Sequence, residues 1–223
     1  IFGPNGRLLP SINLDGEGEK FVPGSCVACH GGDHYAGSFP TTGTPSPDIG
    51  AHFLPYDTGN FSFSTNVGLS EAEQESAIHQ LNINVLDAGP TPAVSELIAG
   101  WYQGGTGILD KNYVPPSYTG KSTNAIAFYK EFYAPSCRTC HVAMSEPGNF
   151  DHYDNLIQKT EPYHNYPGYD RIRFFIPQNP GEETFNSALM PNSLRTFSLL
   201  MAETNRLEIY WRLYYELDSQ LNP

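Results

Sequence analysis

Basic residues are scarce in this chain of 223 residues. Twelve Lys and Arg stand against 24 Asp and Glu, which gives a formal charge of −12 at pH 7. Nucleic acids and anionic membranes bind mainly through clusters of basic side chains. We therefore expect neither as a partner, whereas a basic protein partner would fit the charge.

Long apolar runs are also absent from the sequence. A membrane-spanning helix needs about 20 consecutive apolar residues, so no transmembrane segment is expected. Hydrophobic residues make up only 39% of the chain, while 21 Gly and 19 Pro favour turns and loops. A bulky non-protein group in the interior would explain how so loop-rich a chain folds. The first residue is Ile1 rather than Met, which fits the removal of an export signal.

Only four cysteines occur, and all of them lie in two copies of one motif. The segments "GSCVACHGGD" and "PSCRTCHVAM" both contain C-x-x-C-H, the attachment signature of haem c. Two thiols form thioethers with the vinyl groups of the porphyrin, and the adjacent histidine offers its imidazole to the iron. We therefore predict two covalently bound haem c groups. Their predicted attachment residues are Cys26 and Cys29, and Cys137 and Cys140, with His30 and His141 as the proximal iron ligands.

Three other uses of paired cysteines compete with this interpretation: structural zinc, a redox dithiol and disulfide bonds. None of them requires a histidine directly after the second cysteine of each pair. A zinc ribbon also keeps its two cysteine pairs much closer in sequence than Cys29 and Cys137. Haem attachment is therefore the favoured interpretation.

With these two motifs, the chain resembles the bacterial dihaem c-type cytochromes. In that family haem c is attached outside the cytoplasm. The resemblance therefore implies a periplasmic or extracellular protein that exchanges electrons with a redox donor and a redox acceptor. The C-terminal half resembles a small cytochrome c domain, in which the iron has one histidine and one methionine ligand.

We predict a mainly α-helical fold with extensive loops, divided into two cytochrome c-like haem domains at residues 1–110 and 111–223. The boundary lies in "GGTGILDKNYVPPSYTG", whose Gly and Pro density is typical of a linker. The N-terminal domain is expected to be atypical because no helix precedes Cys26. Helices are predicted at 70–88, 91–102, 122–134 (ending before Pro135) and 207–217, and "NFSFSTN" is a candidate strand.

The second iron has a methionine as its predicted sixth ligand. Met190 is followed by Pro191 and then by an apolar pattern with helical spacing. In the family that the chain resembles, a Met-Pro pair stands on a loop before the C-terminal helix. A thioether is the usual sixth ligand in electron carriers of this kind. Met144 is too close in sequence to His141 to reach the opposite face of the same ring. Core filling is the alternative role for Met190.

The first iron has no methionine between His30 and Met144, so its predicted sixth ligand is a histidine. We select His79, which lies on the flank of the apolar face of the predicted helix 70–88. A partly buried histidine that is hydrogen-bonded to a carbonyl or carboxylate is the alternative for this position. His52, a histidine of a neighbouring subunit and an open site also remain possible, and the other candidates in the chain are His34, His152 and His164.

A calcium site is the remaining metal hypothesis. Asp57 and Asn60 in "YDTGN", or Asp154 and Asn155 in "DNL", could offer oxygen ligands, but neither segment has the spacing of a known calcium loop. We expect a solvated turn instead.

These observations favour electron transfer between redox proteins, with no catalytic side chain. The thioether-ligated second haem is expected to have the higher reduction potential, so that electrons run from the first haem to the second. A dihaem peroxidase-type enzyme with one open iron site is an alternative. A subunit of an extracellular cytochrome filament, formed by self-association, is another.

Overall fold

The computed structural model describes residues 3–7, 9–13, 18–22, 24–32, 50–103, 107–144, 148–160, 164–173, 176, 200, 202 and 205–221. Within them the chain is mainly helical with extensive loops, which confirms the coarser part of the predicted fold class. None of the described helices has the length and apolar character that crossing a membrane requires. The predictions for His34 and Met190 fall outside the described residues.

A small antiparallel hairpin precedes the first motif. Strands β1 (Ser11–Ile12) and β2 (Lys20–Phe21) pair with Ser11 opposite Phe21. Helix α1 (Gly24–His30) follows at once and packs against β2. No helix precedes α1 among the described residues, as predicted for the atypical N-terminal half.

Two α-helices follow in the described part of the N-terminal half, after a short 3-10 helix (Thr58–Asn60). Helix α2 (Glu71–Asp87) begins with the predicted capping box, in which the Ser70 hydroxyl accepts from the Glu73 N–H while the Glu73 carboxylate accepts from the Ser70 N–H. Helix α3 (Pro92–Trp101) is capped by Thr91. Both predicted helices are therefore confirmed. The candidate strand "NFSFSTN" is wrong, because this stretch pairs with no other strand and Phe61 is exposed.

The segment before the second motif is helical throughout. Ser122 caps α4 (Thr123–Ala127), which continues as a π-helix (Phe128–Tyr133) and then as α5 (Ala134–Ser136) and α6 (Arg138–His141). The prediction that this helix ends before Pro135 was wrong. Pro135 lies in the first turn of α5, where its missing N–H is tolerated, and the Cys137 N–H bonds the Tyr133 carbonyl oxygen at 2.8 Å.

The C-terminal half closes around this segment. Helix α7 (Tyr153–Ile157) is followed by the antiparallel strands β3 (Lys159–Thr160) and β4 (His164–Pro167) and by α8 (Gly168–Ile172). The predicted last helix is α9 (Arg206–Leu221), which packs against the π-helix. There the Phe132 and Tyr210 rings stack at 5.4 Å. The main aromatic core therefore lies between α9 and the chain that leads into the second motif.

Described contacts join the two halves of the chain. The Thr91 hydroxyl donates to the Val142 carbonyl oxygen at 3.3 Å. Val142 and Ala143, just after the second motif, are buried in the same apolar cluster as Trp101 and the rest of α3. The division at residue 110 stays a prediction, but the second motif packs directly on the N-terminal half.

Candidate functional site

Helix α1 presents the first motif next to an extended segment that begins at residue 50. The Nδ1 atom of His30 lies 2.7 Å from the carbonyl oxygen of His52, and the His52 N–H donates to the His30 carbonyl oxygen at 2.9 Å. A carbonyl oxygen can only accept, so Nδ1 carries the ring proton. The Nε2 atom of the neutral imidazole then keeps its lone pair, which is the state that binds a metal.

The second motif repeats this arrangement. The Nδ1 atom of His141 lies 2.7 Å from the carbonyl oxygen of Gly148, so here too Nε2 keeps its lone pair. The Phe150 ring stacks on the imidazole at 5.4 Å and 19°, and Tyr133 meets it edge-on at 6.5 Å. Burial lowers the pKa of His141, so the neutral ligand form is favoured at neutral pH.

The two motifs lie against each other. Helices α1 and α6 pack together, and the neighbouring Cys140 thiol lowers the pKa of Cys29. Gly31 has φ +68°, and a Cβ built there would lie 2.4 Å from the carbonyl oxygen of Ala143. The chain therefore needs glycine directly after His30 in order to bring the two motifs this close.

All four cysteines are free thiols and all are partly exposed. Burial raises the pKa of Cys137 to about 11. No three His, Cys, Asp or Glu side chains of the described residues are grouped so that they could hold a metal ion. Each motif offers two thiols and one imidazole, which is the protein donor set of a covalently attached haem. The residues present fit that group.

His52 lies beside His30 rather than across from it. Its main chain is bonded to His30 through both its N–H and its carbonyl oxygen. We therefore infer that His52 orients His30 through its main chain.

His79 lies on α2, as predicted, with its ring 4.1 Å from the ring of Tyr102. Gly107 approaches its Nδ1 atom so closely that a Cβ there would be 3.1 Å away. The contacts described for the imidazole are therefore with the end of α3 and the chain that follows. The prediction that His79 is a sixth ligand stays a prediction.

A buried ion pair that the sequence analysis missed lies beside the second motif. Arg138 is the first variable residue of that motif, and its Nε and Nη2 atoms each lie 2.8 Å from Oδ2 of Asp57. The solvated turn expected at Asp57 is wrong, because this carboxylate is 3% exposed. Nothing in the segment "YDTGN" indicates that its carboxylate is buried. The residue that pairs with Asp57 lies 81 residues further along the chain.

The ion pair extends into a network of tyrosines and a second carboxylate. The Arg138 Nη1 atom donates to the Tyr129 hydroxyl at 3.1 Å, and that hydroxyl donates to Asp151 at 2.8 Å. Tyr133 donates to the other oxygen of Asp151 at 3.1 Å. Burial raises the pKa of Asp151 to about 6, although the positive charge of Arg138 acts to lower it. A cleft of about 300 Å³ opens beside Asp57, Trp101 and Arg138.

Comparison with protein-family models, with curated proteins and with solved structures finds no significant match to this chain.

Proposed function

We propose that the chain is an electron carrier with two covalently attached haem c groups, which acts outside the cytoplasm. Cys26 and Cys29 would hold the first haem, and His30 would be its proximal ligand. Cys137, Cys140 and His141 would do the same for the second. When bound, each haem supplies an iron that gains and loses one electron.

One observation carries this proposal. Both motif histidines use Nδ1 to bond a main-chain carbonyl oxygen at 2.7 Å, one from His52 and one from Gly148. Two histidines with unrelated surroundings therefore share one tautomer, with Nε2 kept for a metal. Structural histidines have no common reason to do so, whereas two proximal ligands do.

The packing of the two motifs supports electron transfer rather than two independent sites. Helices α1 and α6 pack together, and Gly31 approaches the main chain of Ala143. Haems attached to the two motifs would lie close together in one protein interior. The aromatic core around Tyr133 and Phe150 would exclude water from the second haem. Limited access of solvent is one of the factors that set a reduction potential.

Redox titration of matched motif variants tests the proposal. The Cys26→Ala/Cys29→Ala variant and the Cys137→Ala/Cys140→Ala variant should each retain one covalent haem and one of the two redox transitions of the parent protein. A variant that keeps both transitions, or a parent protein that shows none, contradicts the proposal.

A peroxidase-type enzyme is the second candidate, because the described contacts of His52 are main-chain bonds to His30 and leave the sixth ligand of the first iron unassigned. Electron paramagnetic resonance of the oxidised protein separates the two functions. Two low-spin irons support the carrier, whereas a high-spin iron that binds cyanide supports the enzyme.

A further inference from the structure

Arg171 on α8 is a half-buried cation without an anion partner among the described residues. Its Nε and Nη2 atoms are shielded from solvent and have no hydrogen-bond partner among the described residues. Burial lowers the pKa of Arg171. Guanidinium nitrogens that are shielded from solvent are normally paired with an acceptor.

The lack of a described partner for Arg171 is unexpected in a chain so rich in acidic residues. The chain has 24 Asp and Glu residues and a formal charge of −12, and other arginines pair with these carboxylates. Arg138 pairs with Asp57, and Arg173, two residues from Arg171, pairs with Asp170 at 2.9 Å. No carboxylate of the described residues pairs with Arg171, so its charge is available to a bound anion.

Packing fixes Arg171 relative to the second motif. At Gly168, the first residue of α8, a Cβ would lie 2.4 Å from the Asn155 carbonyl oxygen and 2.9 Å from the ring of Phe150. The Phe150 ring in turn stacks on His141. Arg171 lies three residues after Gly168 on the same helix, which packs on the ring that stacks on His141.

We propose that Arg171 binds a propionate carboxylate of the haem attached to Cys137 and Cys140. This inference rests on the proposed function. A haem carries two propionates, and a guanidinium is the side chain best matched to a carboxylate, since it donates two parallel hydrogen bonds. Arg171 acts as a positioning residue: it holds the propionate in its ionised form and places one positive charge next to the second haem.

The consequence is a specific set of redox properties. A cation next to the haem favours the reduced iron, which carries one positive charge fewer than the oxidised iron. Replacing Arg171 with a neutral residue should lower the reduction potential of the second haem and leave that of the first unchanged. The propionate would also lose its partner, so its pKa should rise and the pH dependence of the potential should move to higher pH.

Spectroelectrochemistry over a pH series, with Arg171→Gln, Arg171→Lys and Arg173→Gln, tests the inference. Arg173 is on the same chain segment but already paired, so Arg173→Gln is the matched control. Arg171→Gln should shift one transition downwards, Arg171→Lys should shift it less, and Arg173→Gln should leave both in place. The motif variants described above assign the shifted transition. Resonance Raman spectra of the parent protein and Arg171→Gln should also differ in the propionate bending band.

The outcomes separate the two proposals. If every variant keeps two covalent haems and Arg171→Gln changes neither the potential nor the propionate band, the role of Arg171 is refuted and the electron carrier stands. Equal shifts in Arg171→Gln and Arg173→Gln refute it as well, because they indicate general electrostatics. If Arg171→Gln does not fold, Arg171→Lys decides with the same two readouts. If the parent protein carries no haem, both proposals fall.

Discussion

Asp57 and Arg138 form a buried ion pair that connects the loop after the first motif to the interior of the second. Two guanidinium nitrogens lie 2.8 Å from one carboxylate oxygen, and the two side chains are 4% and 9% exposed. The guanidinium also lies 5.2 Å from the ring centre of Trp101 on α3. Arg138 therefore ties the second motif to the N-terminal half through charge and aromatic contact together.

Removing the carboxylate should destabilise the protein strongly. In Asp57→Ala the Arg138 cation stays buried without its partner, and we expect the free energy of unfolding to fall by about 3 kcal/mol or more. Urea unfolding of the purified protein measures this. Lys111→Ala, which removes an exposed ion pair with Glu71, is the control and should cost less than about 1 kcal/mol. Equal losses of unfolding free energy in the two variants would show that the buried ion pair stabilises the protein no more than the exposed one.

The stability of the protein should depend on pH through Asp151. Burial raises its pKa from 3.8 in the unfolded chain to about 6 in the native state. The native state therefore binds more protons than the unfolded state between these values, so the contribution of Asp151 is fully present below about pH 4 and is lost as pH rises through 6. That loss amounts to at most about 3 kcal/mol.

Asp151→Asn tests this dependence, because the variant cannot ionise. The free energy of unfolding, measured from pH 4 to 7, should fall less steeply in Asp151→Asn than in the parent protein. The exposed Asp154, three residues away, provides the control: Asp154→Asn should keep the parent slope. Parallel curves for the parent protein and Asp151→Asn would mean that Asp151 titrates as in the unfolded chain.

The closeness of the two motifs depends on Gly31. In Gly31→Ala the new methyl group meets the Ala143 carbonyl oxygen, and α1 must move away from α6. Gly120→Ala is the matched control, since Gly120 also has a positive φ of +75° but has open space around it. We expect Gly120→Ala to cost about 1 kcal/mol from backbone strain and Gly31→Ala clearly more. Circular dichroism in the haem bands should change only in Gly31→Ala, and an unaltered spectrum would argue against coupled motifs.

His52 is expected to act through its main chain alone. His52→Ala keeps the carbonyl oxygen that accepts from His30, so the ligand-field spectrum of the first haem should not change. His79→Ala is the comparison, and it should convert the first haem to high spin if the predicted ligation by His79 is correct. Electron paramagnetic resonance measures the spin state of the first haem in both variants. Conversion to high spin in His52→Ala would instead make the His52 ring an iron ligand.

Local sequence signals predicted the helices well. The Ser70–Glu73 capping box, Thr91 followed by Pro92, and Ser122 each mark a helix start at the residue where the structure has it. These signals work because the hydrogen bonds of a helix terminus lie within a few residues of sequence. The π-helix and the helical path through Pro135 were missed, since propensity treats proline as a helix end and does not see the packing of α9 against the segment.

The site could be predicted only as far as its motifs. The six motif residues follow from spacing, but the carbonyl oxygens of His52 and Gly148 that fix the two histidines belong to the main chain and leave no signature in the side chains. The pairing of Asp57 with Arg138 and the unpaired Arg171 depend on tertiary contacts. Such contacts between distant residues cannot be derived from local pattern alone.

The most direct test of the account is the intact mass of the mature protein under denaturing conditions, recorded with its absorption spectrum. We expect the polypeptide mass plus two haems that unfolding does not remove. Digestion should locate the added mass to the peptides that contain Cys26 and Cys29 and to those that contain Cys137 and Cys140. A colourless protein at the bare polypeptide mass, or one with Cys29 and Cys140 joined in a disulfide, would contradict it.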